Sequence, residues 1–536
     1  MITKKITLVA MLPLICFSSL SQLVSVQTVD PQKSTFKTLG TGLNLNTYYD
    51  DDNIRYYQFH DVIECEDGFY KVGLSNNSGY QKKKNLSIHV IKMDKALQIS
   101  REFDIELKSQ QNSAHVTPFA LYRNGNRIEL LANNRKDGML NIMNWEFNLA
   151  DFSLISQDNV IGGFSIPENS YCDFSYNINE KTFFGGISFL ERKGKKSKEC
   201  AVHSLSWNSN MKRVSQQSTE MNRPYDQDML SEIKTTASGE TWTLLDSRTR
   251  NESIGTSIFY MGENNGRLTE VLKNNNAVTG AGLALANANS GVFVAGYTST
   301  SGATVSESLC LAALDKNGKL FTSNEYVLPE SFIEKTTNFE KNTRERKGLS
   351  KNYSVREILV RENNTIDVIA TLIRLDEGLT PSGPYTKTQI GDVHIYSFVG
   401  DKLVSTICIN RNIRDIQNGE LLMSVTKDFS IPFVYTQQDN LVILCVANSG
   451  SFSGSNNSNL DDQYISEAQF VAVKIDNQFK LKKQVIYDLS EKTKGFETYR
   501  QITLRRINTG QFFGYNETEF GMTTKAKLTF SHIKVR

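Results

Sequence analysis

The chain has 536 residues, 39% hydrophobic, 22% charged and 10% aromatic, an ordinary globular composition that excludes disordered and collagenous classes. Lys and Arg number 60 against 58 Asp and Glu, and the resulting formal charge of +2 excludes a strong electrostatic pull toward nucleic acid or anionic membrane. In chain order, Lys4 and Lys5 precede an apolar run over residues 6–17 and small polar residues over 18–21. That order of regions predicts a secretory signal peptide over residues 1–21, cut before Gln22, and hence a secreted, periplasmic or cell-surface protein. Cys16 offers a lipoprotein alternative, against which stands Ile15, since a lipobox wants a small residue just before its cysteine. The run is shorter than the ~20 residues a membrane span needs, and no later segment is expected to span either.

From residue 59 to residue 107 four β-rich runs follow one another, FHDVIECEDG, FYKVGLSN, LSIHVIKMDKA and ISREFDIEL, each bounded by Gly, Asn or Asp. They read as four antiparallel strands, A to D. The same grammar returns along the chain, clearest in the third strands and the residue that ends each: Asp94, Asn148, Asn208, Asn264, Asp315, Asp401 and Asp476, with KLTFSHIKVR closing at Arg536. The turns recur roughly every 50 to 60 residues, a four-stranded repeat that cannot bury both faces of its sheet alone and must stack on its neighbours. The last unit, residues 496–536, supplies only three strands, so an N-terminal segment is expected to donate the fourth; residues 34–57, just before the first full unit, are the expected donor.

This organisation resembles the secreted bacterial β-propeller superfamily in general, over nearly all of residues 22–536. The resemblance implies an all-β fold, a single propeller of about eight four-stranded antiparallel blades, with seven as the alternative if the last unit is not a blade. The Trp-Asp pair of WD40 repeats is absent, and the kelch-type Gly-Gly doublet occurs once, at Gly185 and Gly186. No narrower family is therefore implied, and architecture does not fix function.

In a propeller the A–B and C–D turns share one face and the B–C and D–A connections share the other. The A–B and C–D turns are short here, whereas insertions fall between B and C (192–198, 376–391, 449–464) and between D and A (329–352, 410–420). Long connections on a rigid scaffold point to a binding face. Within them Tyr385, Phe452, Asp461, Asp462 and Tyr464 are the candidate binding residues for a protein or glycan partner. Asp461 and Asp462 lack the spacing of a Ca²⁺ loop.

Chemistry is harder to place. His89, His203, His394 and His532 lie on C strands of different repeats, and no Cys/His set at zinc spacing occurs, so no metal site, cofactor or catalytic residue is expected. Trp145, Trp207 and Trp242 read as packing between blades. The cysteines beyond the leader, Cys65, Cys172, Cys200, Cys310, Cys408 and Cys445, are expected to be mostly free and buried, several lying inside apolar strands. Asp173, Glu232 and Glu357, on or near A strands, are the first acids to inspect for an enzyme, and salt-linked or channel-facing roles are the competing reading. The expectation is a binding or scaffolding module; the alternatives are a polysaccharide hydrolase or lyase with acids at the axial mouth, or a subunit of an envelope or secretion complex.

Overall fold

The computed structural model describes residues 24–28, 32–33, 48–49, 55–56, 60–74, 86–107, 116–167, 170–179, 181–192, 200–221, 228–248, 253–262, 266–271, 276–286, 291–300, 305–306, 308–336, 349–350, 353–380, 383–418, 432–448, 463–464, 468–488, 502–508, 510–518 and 527–535. The expected leader, residues 1–21, lies outside them.

Runs of β-branched, aromatic and apolar residues form strands, and they assemble in sequence order into antiparallel blades whose strands lie A-B-C-D. Blade 1 comprises His60–Cys65, Gly68–Leu74, Leu86–Asp94 and Ile99–Leu107. Blade 2 comprises Val116–Asn124, Arg127–Lys136, Met139–Asn148 and Leu154–Ser165, and blade 3 Tyr171–Ile178, Gly185–Arg192, Cys200–Trp207 and Arg213–Met221. Blade 4 has Asp228–Thr235, Thr241–Arg248, Ser253–Met261 and Gly266–Glu270, and blade 5 has Asn276–Leu285, Gly291–Thr300, Ser308–Asp315 and Leu320–Val327. Blade 6 is Tyr353–Val360, Thr365–Thr380, Gly383–Val399 and Lys402–Ile409, and blade 7 is Phe433–Gln437, Asn440–Ala447, Gln469–Ile475 and Leu481–Asp488. Blade 8 takes Ile502–Asn508, Gln511–Thr518 and Lys527–Val535 from the C-terminus.

The fourth strand of blade 8 is Val24–Thr28, paired antiparallel with the C strand from Val24↔Val535 to Thr28↔Ser531. The ring thus closes with an N-terminal strand, but upstream of the expected donor at 34–57. Within that stretch, Tyr48–Tyr49 and Arg55–Tyr56 pair with each other instead. The reason is local: VSVQT carries alternating β-branched residues, whereas the 34–57 stretch is rich in Gly, Asn and Asp.

Among the described residues, eight apolar clusters each sit at a different interface of the ring. Trp145 and Phe152 pack against Tyr70 and Val90 between blades 1 and 2, and Phe164 against Phe189 and Trp207 between blades 2 and 3. Val202 meets Phe259 across 3 and 4, Trp242 meets Val292 across 4 and 5, and Leu309 meets Tyr353 across 5 and 6. Ile395 meets Ile443 across 6 and 7, and Phe470 meets Phe512 across 7 and 8. Val62 and Met93 of blade 1 close the circle on Ile507 of blade 8, where Phe69 also sets its ring 5.0 Å from His532.

Several of the residues that end the C strands share one chemistry. Asp94 Oδ1 accepts from the Gln98 backbone N–H at 2.9 Å, Asn208 Oδ1 from Asn210 and Lys212 at 3.0 and 3.1 Å, and Asp476 Oδ1 from Gln478 and Lys480 at 2.9 and 2.8 Å. These Asx turns replace the strand ladder by a side-chain acceptor. The next bend puts Leu97, Phe152, Met211 and Phe479 at positive φ, between 59° and 63°. Bulky residues avoid that region. Leu97 and Phe152 are held there by almost complete burial.

Candidate functional site

Among the described residues, parts of several insertions join into sheet rather than standing as separate loops. In blade 6 the B–C ladder shifts register between Thr371 and Ile373, then continues to Thr380↔Gly383. The 376–391 stretch, expected as a Pro/Gly loop, is therefore a hairpin extension of strands B and C. Thr386, Thr388 and Ile390 supply the β-branched alternation, and Pro384 sits beside the turn, where the sheet is only two strands wide. Ile413–Asn418, from the connection between blades 6 and 7, pairs with the extension from Tyr385↔Asn418 to Ile390↔Ile413. Gln463–Tyr464, from the B–C insertion of blade 7, adds in parallel at Ile413↔Gln463 and Arg414↔Tyr464. Beside it, Val305–Ser306 of the blade 5 B–C insertion pairs with Leu349–Ser350 before blade 6.

The extension is anchored as well as paired. Ile390 and Ile413 are fully buried and pack with Tyr435 and Phe470 of blade 7 and with Phe512 and Ile533 of blade 8. Of the candidate binding residues, Tyr385 and Tyr464 fall in this one sheet, two strands and four residues apart, on the order of 16 Å. Phe452, Asp461 and Asp462 lie outside the described residues.

Near the axis, Lys234 Nζ stands 2.6 Å from Glu232 Oε1 and 3.6 Å from Glu357 Oε1, joining A strands of blades 4 and 6. Glu232 Oε2 also accepts from the Leu283 backbone N–H of blade 5 at 2.9 Å. Both glutamates follow β-bulges, between Leu230 and Glu232 and between Val355 and Glu357, which turn the inner strands enough to bring the acids together. Burial pulls the Lys234 ammonium down, but Glu357 and Glu232 outweigh it and hold it above the usual lysine range. A cation clamped by two carboxylates is a strut between inner strands. Nothing is described of the Asp173 side chain.

A second polar cluster, missed by sequence reasoning, lies under the root of the blade 6 extension. Asp392 and His394 on strand C face Asn410 and Cys408 beyond and on strand D, with His394↔Cys408 a directly opposed pair. Asp392 Oδ1 accepts from the Arg411 backbone N–H at 3.1 Å, and Arg411 Nε donates to the Gly391 carbonyl at 2.6 Å. Asn410 Nδ2 reaches Asp392 Oδ2 at 3.2 Å and the Lys335 carbonyl at 2.7 Å, tying in the segment after the short helix α1, Glu330–Ile333. Tyr353 stacks on the His394 ring at 4.2 Å and Phe332 of α1 meets its edge at 5.0 Å. Burial, with Arg411 adding to it, pulls the imidazole down to about 3, and burial together with Asp392 pushes the Cys408 thiol well up. The cluster left only a D-x-H and a C-x-N on consecutive strands as its trace in sequence.

The other histidines stay apart. His89 contacts Asp104 at 2.7 Å, His203 contacts Glu191 at 2.9 Å, and His532 contacts Gln511 at 3.0 Å, each within its own blade. Trp145, Trp207 and Trp242 are fully buried packing residues. All six cysteines among the described residues are free, four of them buried.

No protein-family model and no curated protein matches this sequence. Among solved structures, the chain is similar to the β-propeller domain of the trilobed protease from Pyrococcus furiosus, at 9% identity over 81% of this chain and 96% of that one, with a TM-score of 0.31. It is also similar to a polysaccharide lyase family 25 ulvan lyase (11% identity, 65% and 80% coverage, TM-score 0.34) and to the α-L-arabinofuranosidase Arb93A of Fusarium graminearum (9%, 66% and 92%, 0.27). At such identities the likeness concerns architecture alone. The ring of sheets and its interface clusters give this chain a β-propeller fold.

Proposed function

We propose that the protein is an exported binding or scaffolding module that recognises a protein or glycan partner through its B–C/D–A face. One observation carries the reading: on that face the blade 6 extension, the connection from blade 6 to blade 7 and part of the blade 7 insertion pair into one sheet, which Ile390 and Ile413 root in the ring's core. A pre-organised surface loses little freedom on binding, which favours recognition by shape. Export is part of the proposal. Cleavage before Gln22 would leave the closing strand Val24–Thr28 intact.

The test uses the mature protein and a variant in which Leu375 and Thr388, a cross-strand pair, are joined by Asn-Gly. That removes the tip of the extension, Tyr385 included, while preserving register. A defined envelope protein or glycan captured by the parent and lost with the truncation supports the reading. Equal capture by both, or none by either, rejects it. N-terminal sequencing of the exported protein tests the cut. A polysaccharide hydrolase or lyase is the second reading, favoured by the convergence of Glu232 and Glu357. Glycan turnover that survives truncation and is lost in Glu357→Gln would replace the first.

A further inference from the structure

We propose that Asp392, His394 and Cys408 bind a divalent transition metal, with Zn²⁺ the best-matched ion. The site goes beyond the binding reading and does not depend on it. One carboxylate oxygen, one ring nitrogen and the thiol sulfur lie within 4.8 Å of one another. Cys408 Sγ is 3.6 Å from Asp392 Oδ2. A tetrahedral centre with Zn–S of ~2.3 Å and Zn–O of ~2.0 Å requires a ligand separation of about 3.5 Å along that edge.

The histidine supplies an independent observation. Its Nδ1 faces the Tyr396 hydroxyl at 3.1 Å and the Tyr297 hydroxyl at 3.4 Å, while Nε2 is fully buried and has no hydrogen-bond partner among the described residues. Buried polar atoms are almost always satisfied, so an orphan nitrogen in a cluster of metal-ligating groups points to a ligand. A metal on Nε2 would fix the tautomer in which Nδ1–H donates to the Tyr396 oxygen, the outer-shell arrangement that ligating histidines usually show. The Arg411 backbone N–H engages Asp392 Oδ1, whereas Oδ2, on the Cys408 side, accepts from Asn410 Nδ2 at 3.2 Å, an amide also 3.5 Å from Cys408 Sγ that the ion would displace.

The donor set selects the ion. Thiolate and imidazole suit Zn²⁺ and Co²⁺, whereas Ca²⁺ and Mg²⁺ take oxygen ligands. On binding, the Cys408 thiol releases its proton to solvent and the thiolate sulfur donates to the metal; no redox change is involved. Three protein ligands leave one tetrahedral vertex for water. The ion would tie strands C and D of blade 6 together where the extension begins, next to the α1 segment held through the Lys335 carbonyl.

The experiment uses the full mature chain, stripped with a chelator and titrated with Co²⁺. The expected result is a thiolate-to-cobalt charge-transfer band saturating at about one ion per chain and displaced by Zn²⁺. Cys408→Ser should abolish the band and Cys445→Ser, a change in blade 7, should keep it. Tyr396→Phe should weaken affinity by about 10-fold, as loss of an outer-shell partner does. Because Cys408→Ser bears on a buried cluster, the parent protein provides a second readout: Zn²⁺ should protect Cys408 from alkylation, followed by peptide mass mapping. A folded parent protein with no cobalt–thiolate band, a band that persists in folded Cys408→Ser, or Cys408 alkylation indifferent to Zn²⁺ overturns the proposal.

Discussion

Arg361 offers a direct test of how blades are joined on the face opposite the extension. Its guanidinium is fully buried, with Nε 2.5 Å from Asp367 Oδ2 and Nη2 3.0 Å from Oδ1. Nη1 donates across the interface to the Asp439 and Asp476 carbonyls of blade 7, at 2.9 and 3.0 Å. Arg361→Met would leave Asp367 buried with only the Ser397 hydroxyl, 2.6 Å away, to solvate it. Removing one partner of a buried ion pair costs about 3–5 kcal/mol. The double variant Arg361→Met, Asp367→Leu removes the stranded charge; the Asp476 carbonyl still accepts from the Phe479 backbone N–H at 3.1 Å, so chiefly the Asp439 carbonyl loses a donor, at about 1–3 kcal/mol. For a chain of this length the unfolding entropy converts roughly 1 kcal/mol into 1 °C of melting temperature. Differential scanning calorimetry should therefore show a fall of about 4 °C for the single variant and a smaller one for the double. A single variant within about 1 °C of the parent, or a double as low as the sum of both singles, refutes the assignment of Arg361 as a charge-paired staple.

Three further outcomes are expected. A Cβ on Gly185 would sit 2.3 Å from the Trp207 ring, so Gly185→Ala should destabilise by about 1–3 kcal/mol through overpacking, read as a lower denaturant midpoint. Asp315 Oδ1 accepts from the Asn317 and Lys319 backbone N–H groups, both at 2.9 Å, so Asp315→Ala should cost on the order of 1 kcal/mol in urea unfolding and Asp315→Asn much less. The Lys319 amide leads in holding that carboxyl below its usual range, so this stabilisation is present at neutral pH and fades as pH falls through the lowered folded value. Burial, aided by Lys534, pulls His532 down to about 4, so the unfolded chain takes up its proton first: stability is complete above pH ~6.5 and declines toward pH 4, by up to roughly 3 kcal/mol. His532→Gln should lose less stability than the parent over that window, and parallel curves would rule the assignment out.

Much of the ring was readable before any coordinates because one residue type does a fixed job at a fixed place. Aligning the repeats on Asp94, Asn208, Asp315 and Asp476 works because each side chain is the acceptor that ends its strand. Pairing across strands was not readable in the same way. The 376–391 stretch resembles a loop because Pro384 and Gly383 dominate its composition, yet the ladder runs through it to Thr380↔Gly383. The closing strand was placed too late in the chain, since VSVQT lies directly after the expected leader. Glu232 and Glu357 were singled out, but their convergence on Lys234 depends on two bulges that leave no pattern. His394 was set apart as a lone C-strand histidine. Its partners come from Asp392 two residues back and Cys408 directly across, a spacing set by the hairpin and not by a motif.

The additions to blades 5–7 are not what the ring requires in order to fold. Blade 2 makes the same B–C connection with Asp137 and Gly138 alone, both at positive φ, and still buries Trp145, Met143 and Ile142 as fully as any blade. The cluster between blades 1 and 2 has 17 buried residues, as many as the one between the extended blades 5 and 6. On the opposite face the connections are short Asx turns, and Arg361 donates from blade 6 to the Asp476 carbonyl of blade 7. Among the described residues, the surplus of blades 6 and 7 is built as sheet and is rooted in apolar contacts that reach blade 8. Insertions under no demand for order have no reason to pair with one another or to bury Ile390 and Ile413. An ordered surplus of this kind, above the buried Asp392, His394 and Cys408 cluster, is the arrangement that the proposed recognition role requires.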